Sequence, residues 1–322
     1  MCLICSNEQT TRYLLTAPAL NARRLVLVLS ILTIVACSGE RIVTHTALPM
    51  TVTLSPAPEP LFAGRTIQFV ATAKDANGNL VPGVTFTWSS SNSSAVGITN
   101  DGLASAVAFG SSTITATTNG INASVTVQVL HDPIVFVHGF HSSGAVWATM
   151  VDRLKADGWT DAPLVTFTYD SNVSNATTAA LIQTKVDSLL AATGAKKVDF
   201  ITHSMGGLSS RYFSKNLSGS EKIDALVFLG TPNHGTTLAG LCPIQSCLEM
   251  RPGSSFLTAL NAGDETPGNA RYATWWTPCD QATTPPESAA LTGATNTETA
   301  CMSHNDLYIN STVYAQVRDW VR

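Results

Sequence analysis

The stretch Val198-Asp-Phe-Ile-Thr-His-Ser204-Met-Gly-Gly-Leu-Ser-Ser-Arg-Tyr-Phe213 leaves this chain few folds to choose from. Val198 to Ile201 is a short apolar run with a β-branched residue at each end, and helix-compatible residues resume after Gly206-Gly207. A strand, one tight turn and a helix is the simplest reading. Ser204 then stands at the apex. A serine on so sharp a turn is forced outward, and glycines two and three residues on let the chain bend without a clash. The helix that follows points its first N–H groups toward the serine oxygen, where negative charge would develop. The spacing departs from G-x-S-x-G at one position, because Thr202 stands where the first glycine is expected. Alone, the pentapeptide fits a serine in an ordinary turn equally well, so the rest of the chain has to decide.

At 322 residues the chain has room for two domains. Charged residues make up 12% and the net charge is −4, which provides no basic field for nucleic acid. Near the start, Arg23-Arg24 precede an apolar run from Leu25 to Ala36. That run is too short to span a bilayer comfortably and suits the core of a signal peptide. It ends in Ile34-Val-Ala-Cys37, which resembles the lipobox of bacterial lipoproteins, where the cysteine is lipidated and becomes the mature N-terminus. Residues 1–36 are therefore expected to be a signal peptide, and 37–49 a lipidated N-terminus and linker. The protein would be exported and tethered to a membrane of the cell envelope through Cys37; simple secretion is the alternative.

From Met50 to Leu130 short alternating runs are separated by turn dipeptides such as Asn77-Gly78 and Asp101-Gly102, about seven strands in all. That is the size of an Ig-like sandwich, with Trp88 a candidate core aromatic. No His or Cys lies in this stretch, so a spacer or a module that contacts the cell surface or the substrate is its natural role. From His131 to Arg322 strands alternate with helices. Pro133–Val137, Pro163–Tyr169, Val198–Ile201, Lys222–Leu229 and Arg271–Trp276 read as strands, and 147–156, 177–192 and 311–321 as helices. This implies a mostly parallel sheet with helices on both faces, and reactive groups gathered at the C-terminal ends of the strands.

Three placements single out residues around the turn. His138-Gly139-Phe140 follows the first strand of the second domain, so the Phe140 N–H can pair with that of Met205 to form an oxyanion hole. In this architecture the acid and then the base follow the nucleophile in the chain. Only His234 and His304 lie beyond Ser204. The acids that could precede His234, Glu221 and Asp224, lie at the wrong end of their strand, which favours His304 as base and leaves His234 to a loop. Asp264, Asp280 and Glu287 compete as the acid. Asp280 is preferred because it follows the strand ending near Trp276. Beyond the leader and Cys37, four cysteines remain in a disulfide-permissive compartment, and three pairings are open to them. Proximity in sequence favours Cys242 with Cys247 and Cys279 with Cys301, the second joining the acid loop to the base loop.

With these residues in view, two resemblances emerge. Gly64-Arg-Thr, Trp88-Ser-Ser-Ser-Asn, Asn100-Asp-Gly and Gly110-Ser-Ser-Thr-Ile-Thr-Ala resemble the BIG2-type bacterial Ig-like module. Ile134-Val-Phe-Val-His-Gly-Phe, the Ser204 stretch, Leu229-Gly-Thr-Pro-Asn-His-Gly-Thr and the Cys301–Tyr308 segment resemble the bacterial α/β-hydrolase lipases, above all the class 2 and compact Bacillus lipases. The resemblance implies an α/β-hydrolase fold and an ester hydrolase using Ser204, Asp280 and His304, with Phe140 and Met205 as oxyanion donors. It implies no cofactor and no metal. Thr202 remains a departure, although the Bacillus relatives also carry a small non-glycine residue there. Leu238 to Leu260 forms an apolar-bearing insertion that could wall an acyl pocket, and short or medium acyl chains are expected. A polyester depolymerase or acyltransferase on the same fold, or a non-catalytic surface-binding lipoprotein, are the rival readings.

Overall fold

The computed structural model describes residues 48–322. The apolar run 25–36 and the lipidation candidate Cys37 lie outside the described residues.

The N-terminal part is all β: β1 (Thr51–Ser55), β2 (Leu61–Phe62), β3 (Thr66–Gln68), β4 (Val70–Lys74), β5 (Thr87–Ser90), β6 (Val96–Ile98), β7 (Leu103–Ala106), β8 (Gly110–Thr118) and β9 (Ile121–Leu130). These nine short strands replace the expected seven or so. The long run beginning at Thr66 divides at Phe69, because its first half pairs with β7 and its second with β1 in a different sheet. Phe69, only 1% exposed, is also the core aromatic, while Trp88 packs against the core at its edge.

The second part holds β10 (Ile134–Val137), β11 (Leu164–Thr166), β12 (Val198–His203), β13 (Ile223–Leu229), β14 (Arg271–Trp276) and β15 (Thr295–Glu298) in one six-stranded sheet ordered β11-β10-β12-β13-β14-β15. Every pairing is parallel. The helices are α1 (Ala148–Ala156), α2 (Asn175–Thr193), α3 (Met205–Asn216), α4 (Gln245–Met250), α5 (Ser255–Asn261) and α6 (Ser311–Trp320). A parallel sheet buries both faces, and the central strands read accordingly: β10 and β12 are buried along their whole length. Val135, Val137, Phe200 and Phe228 point into one core with Ile182 and Val186 of α2 and Leu208 of α3. Ile134, Phe136, Ile201 and Val227 point into the other with Met150 and Leu154 of α1 and Val313 and Val317 of α6.

Two expectations shift in detail. Only Leu164–Thr166 of the 163–169 run pairs with β10, because Phe167 to Tyr169 turns away to pass beneath His138. Edge strand β15 was not anticipated, since Thr-Asn-Thr-Glu carries no apolar alternation and is held by its register with β14. The strand order reverses between β10 and β12, so a crevice opens beyond their C-terminal ends, where ligands of open parallel sheets bind.

At the opposite end of the sheet the two parts meet. The His131 ring stacks between Phe109 and Trp159, with centroids 3.5 and 4.1 Å away. A cavity of about 650 Å³ there is lined by Asp132, Asp199 and Asp224 with Arg271 and Arg322. Burial, then the Asp224 charge, pushes the Asp132 carboxyl up to about 7. Burial, then the Asp132 charge, raises Asp199 well above the usual carboxylate range. An acid whose folded-state pKa is raised contributes stability that is present below about pH 4 and lost as pH rises through about 7. Asp132→Asn removes that charge without breaking a bond, since its Oδ1 is buried and unpaired. The variant should gain about 2–4 °C in Tm for each kcal/mol relieved at pH 8. The gain should shrink as pH falls from about 7 toward 4, and a scanning-calorimetry pH series showing a constant gap would contradict this.

Candidate active site

The local backbone explains why the turn after β12 needs its residue types. Ser204 has φ +53°, a left-handed value that side-chain-bearing residues rarely adopt, so the hydroxyl stands clear of both strand and helix. Its N–H bonds to Leu229 O at 2.9 Å, and Gly207 N–H returns to Ser204 O at 3.0 Å. A Cβ on Gly206 would lie 2.4 Å from His138 O, and one on Gly207 would lie 2.1 Å from Thr231 Oγ1. Helix α3 can begin this close to β10 and β13 only with glycine at both positions. Thr202 fits for a different reason: it is fully buried and donates Oγ1–H to Val227 O at 2.7 Å. The hydroxyl is satisfied on the neighbouring strand, and the first glycine of the motif is not required here.

Asp280 and His304 meet although 24 residues separate them: His304 Nδ1 lies 2.7 Å from Asp280 Oδ2. The other carboxylate oxygen accepts from Ala282 N–H and Thr283 N–H, each at 2.8 Å. A carboxylate held on both oxygens keeps one orientation, and an imidazole donating Nδ1–H to it presents Nε2 as the acceptor. His304 Nε2 is buried and has no partner among the described residues. Ser204 and His304 line the same cavity of about 920 Å³. Such contacts are often long in unliganded sites and tighten when substrate arrives. Gly230, at φ +60°, makes room for the ring, since a Cβ there would stand 2.9 Å from His304 Cε1.

The acid and base loops are joined twice. Cys279–Cys301 is a disulfide, as is Cys242–Cys247, which is the pairing that sequence proximity favours. Sequence reading missed Thr277. This fully buried residue donates Oγ1–H to Met302 O and accepts from Met302 N–H, both at 3.0 Å. No local pattern could have marked it, because its partner lies 25 residues on.

His138 serves the loop after β10. Its Nδ1 bonds to Gly139 O at 2.8 Å, its Nε2 accepts from Tyr169 N–H at 3.2 Å, and its ring stacks on Tyr169. The next residues follow: His141, at φ +50°, donates its N–H to Ser171 Oγ at 2.9 Å. Phe140 lines the Ser204 cavity, and Met205 opens α3, where the first N–H groups of a helix lack intrahelical partners. The competing residues stand elsewhere. His234 is tied to Glu265 at 3.0 Å, Asp264 accepts from Thr266 N–H in an exposed turn, and Glu287 lines a separate depression with His234.

A second lobe of about 580 Å³ leads from Ser204 past Phe140, Leu238, Ala239, Met250 and the Cys242–Cys247 bridge. The 238–260 insertion that walls it is pinned in place. Arg251 donates to Ala239 O at 3.2 Å and Cys242 O at 3.0 Å, and Ser246 donates to Ser171 O at 2.6 Å. Buried Glu249 accepts from Ser174 Oγ–H, Asn175 N–H and Asn175 Nδ2–H at 2.6, 2.7 and 2.9 Å.

Residues 131–318 match the family described as Lipase (class 2), and residues 50–129 match Bacterial Ig-like domain (group 2). Triacylglycerol lipases of Pseudarthrobacter phenanthrenivorans and Burkholderia plantarii are each 36% identical to the chain over 77 residues. Those matches span 24% of this chain and only 23% and 20% of the relatives' own lengths. Among solved structures, Aspergillus fumigatus lipase B superposes with a TM-score of 0.52 at 16% identity, over 59% of this chain and 52% of that one. The propeptide form of a Bacillus licheniformis lipase gives 0.50 at 19% identity, over 58% and 50%. At these identities the likeness is one of fold.

Replacing both Cys279 and Cys301 by Ala opens a loop of 22 residues. The chain-entropy model puts the loss at about 3 kcal/mol, or roughly 6–12 °C in Tm. Because the bridge joins the loops of Asp280 and His304, turnover on a soluble ester should fall as well. Unchanged turnover at 25 °C would show that Thr277 and packing hold the two loops without it.

Proposed function

The chain belongs to the class 2 lipase family, and from that membership we propose that it is a serine carboxylic-ester hydrolase working through an acyl-enzyme. The observation that carries this reading is the 2.7 Å contact between His304 Nδ1 and Asp280 Oδ2, with Ser204 across the same cavity. In the proposed mechanism His304 Nε2 takes the Ser204 proton as Oγ attacks the ester carbonyl carbon. The N–H groups of Phe140 and Met205 receive the negative oxygen. Collapse breaks the bond to the alcohol oxygen, which leaves with the proton from His304. Water then attacks the acyl-enzyme, giving its proton to His304 and releasing the acid and free Ser204. Asp280 keeps the imidazole in the tautomer with Nε2 free and balances its charge when protonated.

The acyl chain belongs in the lobe bounded by Phe140, Leu238, Ala239 and Met250, whose lining is mostly apolar, and short or medium chains are the expected substrates. Because Arg251, Glu249 and Ser246 hold the wall of that lobe, hydrolysis of a soluble ester should need no lipid interface. The reading extends to location: the sequence at residues 23–37 supports export and attachment through Cys37, with the Ig-like part as spacer.

A fluorophosphonate probe tests the chemistry directly. Wild type should label and Ser204→Ala should not, while His304→Ala should label at least about a hundredfold more slowly. Equal labelling of wild type and Ser204→Ala rules the mechanism out. Separately, radiolabelled palmitate fed to the expressing cells should enter wild type and be absent from Cys37→Ala.

A further inference from the structure

The proposed mechanism leaves one polar group beside Ser204 unused. The 920 Å³ lobe, which shares Phe140, Ser204 and Ala282 with the acyl lobe, is also lined by Ser142, His203, Gln281, His304, Asn305 and Tyr308. His203 is 4% exposed, and its Nε2 lies 3.2 Å from the carbonyl oxygen of His304. A carbonyl oxygen can only accept, so Nε2 carries the proton. Burial, then the neighbouring His304, holds the ring well below the ordinary histidine pKa, and the imidazole is neutral. One proton on Nε2 leaves Nδ1 as a bare lone pair.

That lone pair is uncovered. A Cβ on Gly139 would stand 3.2 Å from His203 Nδ1 and 2.9 Å from Ser204 Cβ. His203 Nδ1 and Ser204 Cβ therefore both lie against Gly139, which has no side chain to stand between them, and all three residues line the cavity. An acceptor in the cavity wall beside the reacting centre favours a substrate that brings a donor over one that does not. An ester group supplies no donor. A free hydroxyl on the alcohol half does.

We propose that His203 Nδ1 accepts a hydrogen bond from a hydroxyl on the alcohol half of the substrate, which makes partial esters of polyhydric alcohols preferred over fully esterified ones. The proposal rests on the ester-hydrolase reading above. It gives His203 two roles: Nδ1 selects the alcohol, and Nε2–H holds the main chain of His304 in place.

The test uses full-length protein and two soluble esters that differ by a hydroxyl in place of a methyl, 2-hydroxyethyl butyrate and propyl butyrate. Wild type should favour the hydroxyethyl ester by about 3- to 10-fold in kcat/KM, the factor expected of one neutral hydrogen bond. His203→Gln keeps an amide N–H to reach His304 O and removes the Nδ1 acceptor. The ratio should then fall to about 1, whatever the variant's absolute rate on either ester. A wild-type ratio near 1, or a ratio unchanged in His203→Gln, overturns the proposal.

If His203→Gln does not fold, a second readout needs no variant. In protein labelled with ¹⁵N-histidine, phosphonylation of Ser204 by an agent bearing a 2-hydroxyethyl ester should shift the His203 Nδ1 resonance, and the propyl analogue should not. Identical spectra for the two adducts overturn the proposal while leaving the hydrolase reading intact. If wild type hydrolyses neither ester and resists phosphonylation, the hydrolase reading fails and the proposal falls with it.

Discussion

The close approach of α3 to the ends of β10 and β13 is the constraint on which the rest of the structure depends. With Cβ positions at Gly206 and Gly207 that would stand 2.4 and 2.1 Å from neighbouring atoms, no side chain fits at either. The helix can therefore start immediately after β12, and Ser204 is driven to φ +53° at the turn. Strain of this kind persists only where surrounding structure over-determines it. Here that structure is the sheet itself: the Ser204 N–H is taken by Leu229 O and the preceding Thr202 hydroxyl by Val227 O, both on β13.

Around this turn the remaining parts are held by separate, mostly polar ties. The loop after β10 is built on His138, buried and bonded through both ring nitrogens, and its continuation is fixed by Ser171. Ser171 also accepts from Ser246, so one residue supports the Phe140 loop and the wall of the apolar lobe. Glu249 joins that wall to the first turn of α2, where a carboxylate satisfies unpaired helix N–H groups and complements the helix dipole. The loops of Asp280 and His304 are joined by Thr277 and by the Cys279–Cys301 bridge. A buried, fully bonded network of this kind fixes geometry more than it adds net stability. Fixed geometry is what a proposed oxyanion hole and triad need.

The two lobes beside Ser204 divide the chemistry. Mostly apolar residues and a disulfide line one, and hydroxyl, amide and imidazole groups, with Phe140 and Ala282, line the other. Acyl chain on one side and alcohol on the other is the assignment that leaves the fewest unsatisfied groups, because apolar surface seeks the first lobe and hydroxyls the second. His203 belongs to the second lobe, tied by one nitrogen to His304 and open at the other.

Much of this was legible in the sequence. The period of the apolar residues from His131 onward, and the turn at Ser204, indicated a parallel sheet with helices on both faces, because a buried strand and an elbow each need particular residue types locally. Chain order together with position after the strands nominated His304 and Asp280, which the structure brings to 2.7 Å. The edge strand β15, the Thr277 tie, the Ser171–Ser246–Glu249 network and the free nitrogen of His203 were not legible. Each depends on partners brought together by the fold across 22 to 101 residues of chain, and a polar residue carries no mark of which distant group will satisfy it. Only the tertiary structure decided that a threonine can replace the first glycine of the turn, since Val227 O happens to lie where its hydroxyl needs an acceptor.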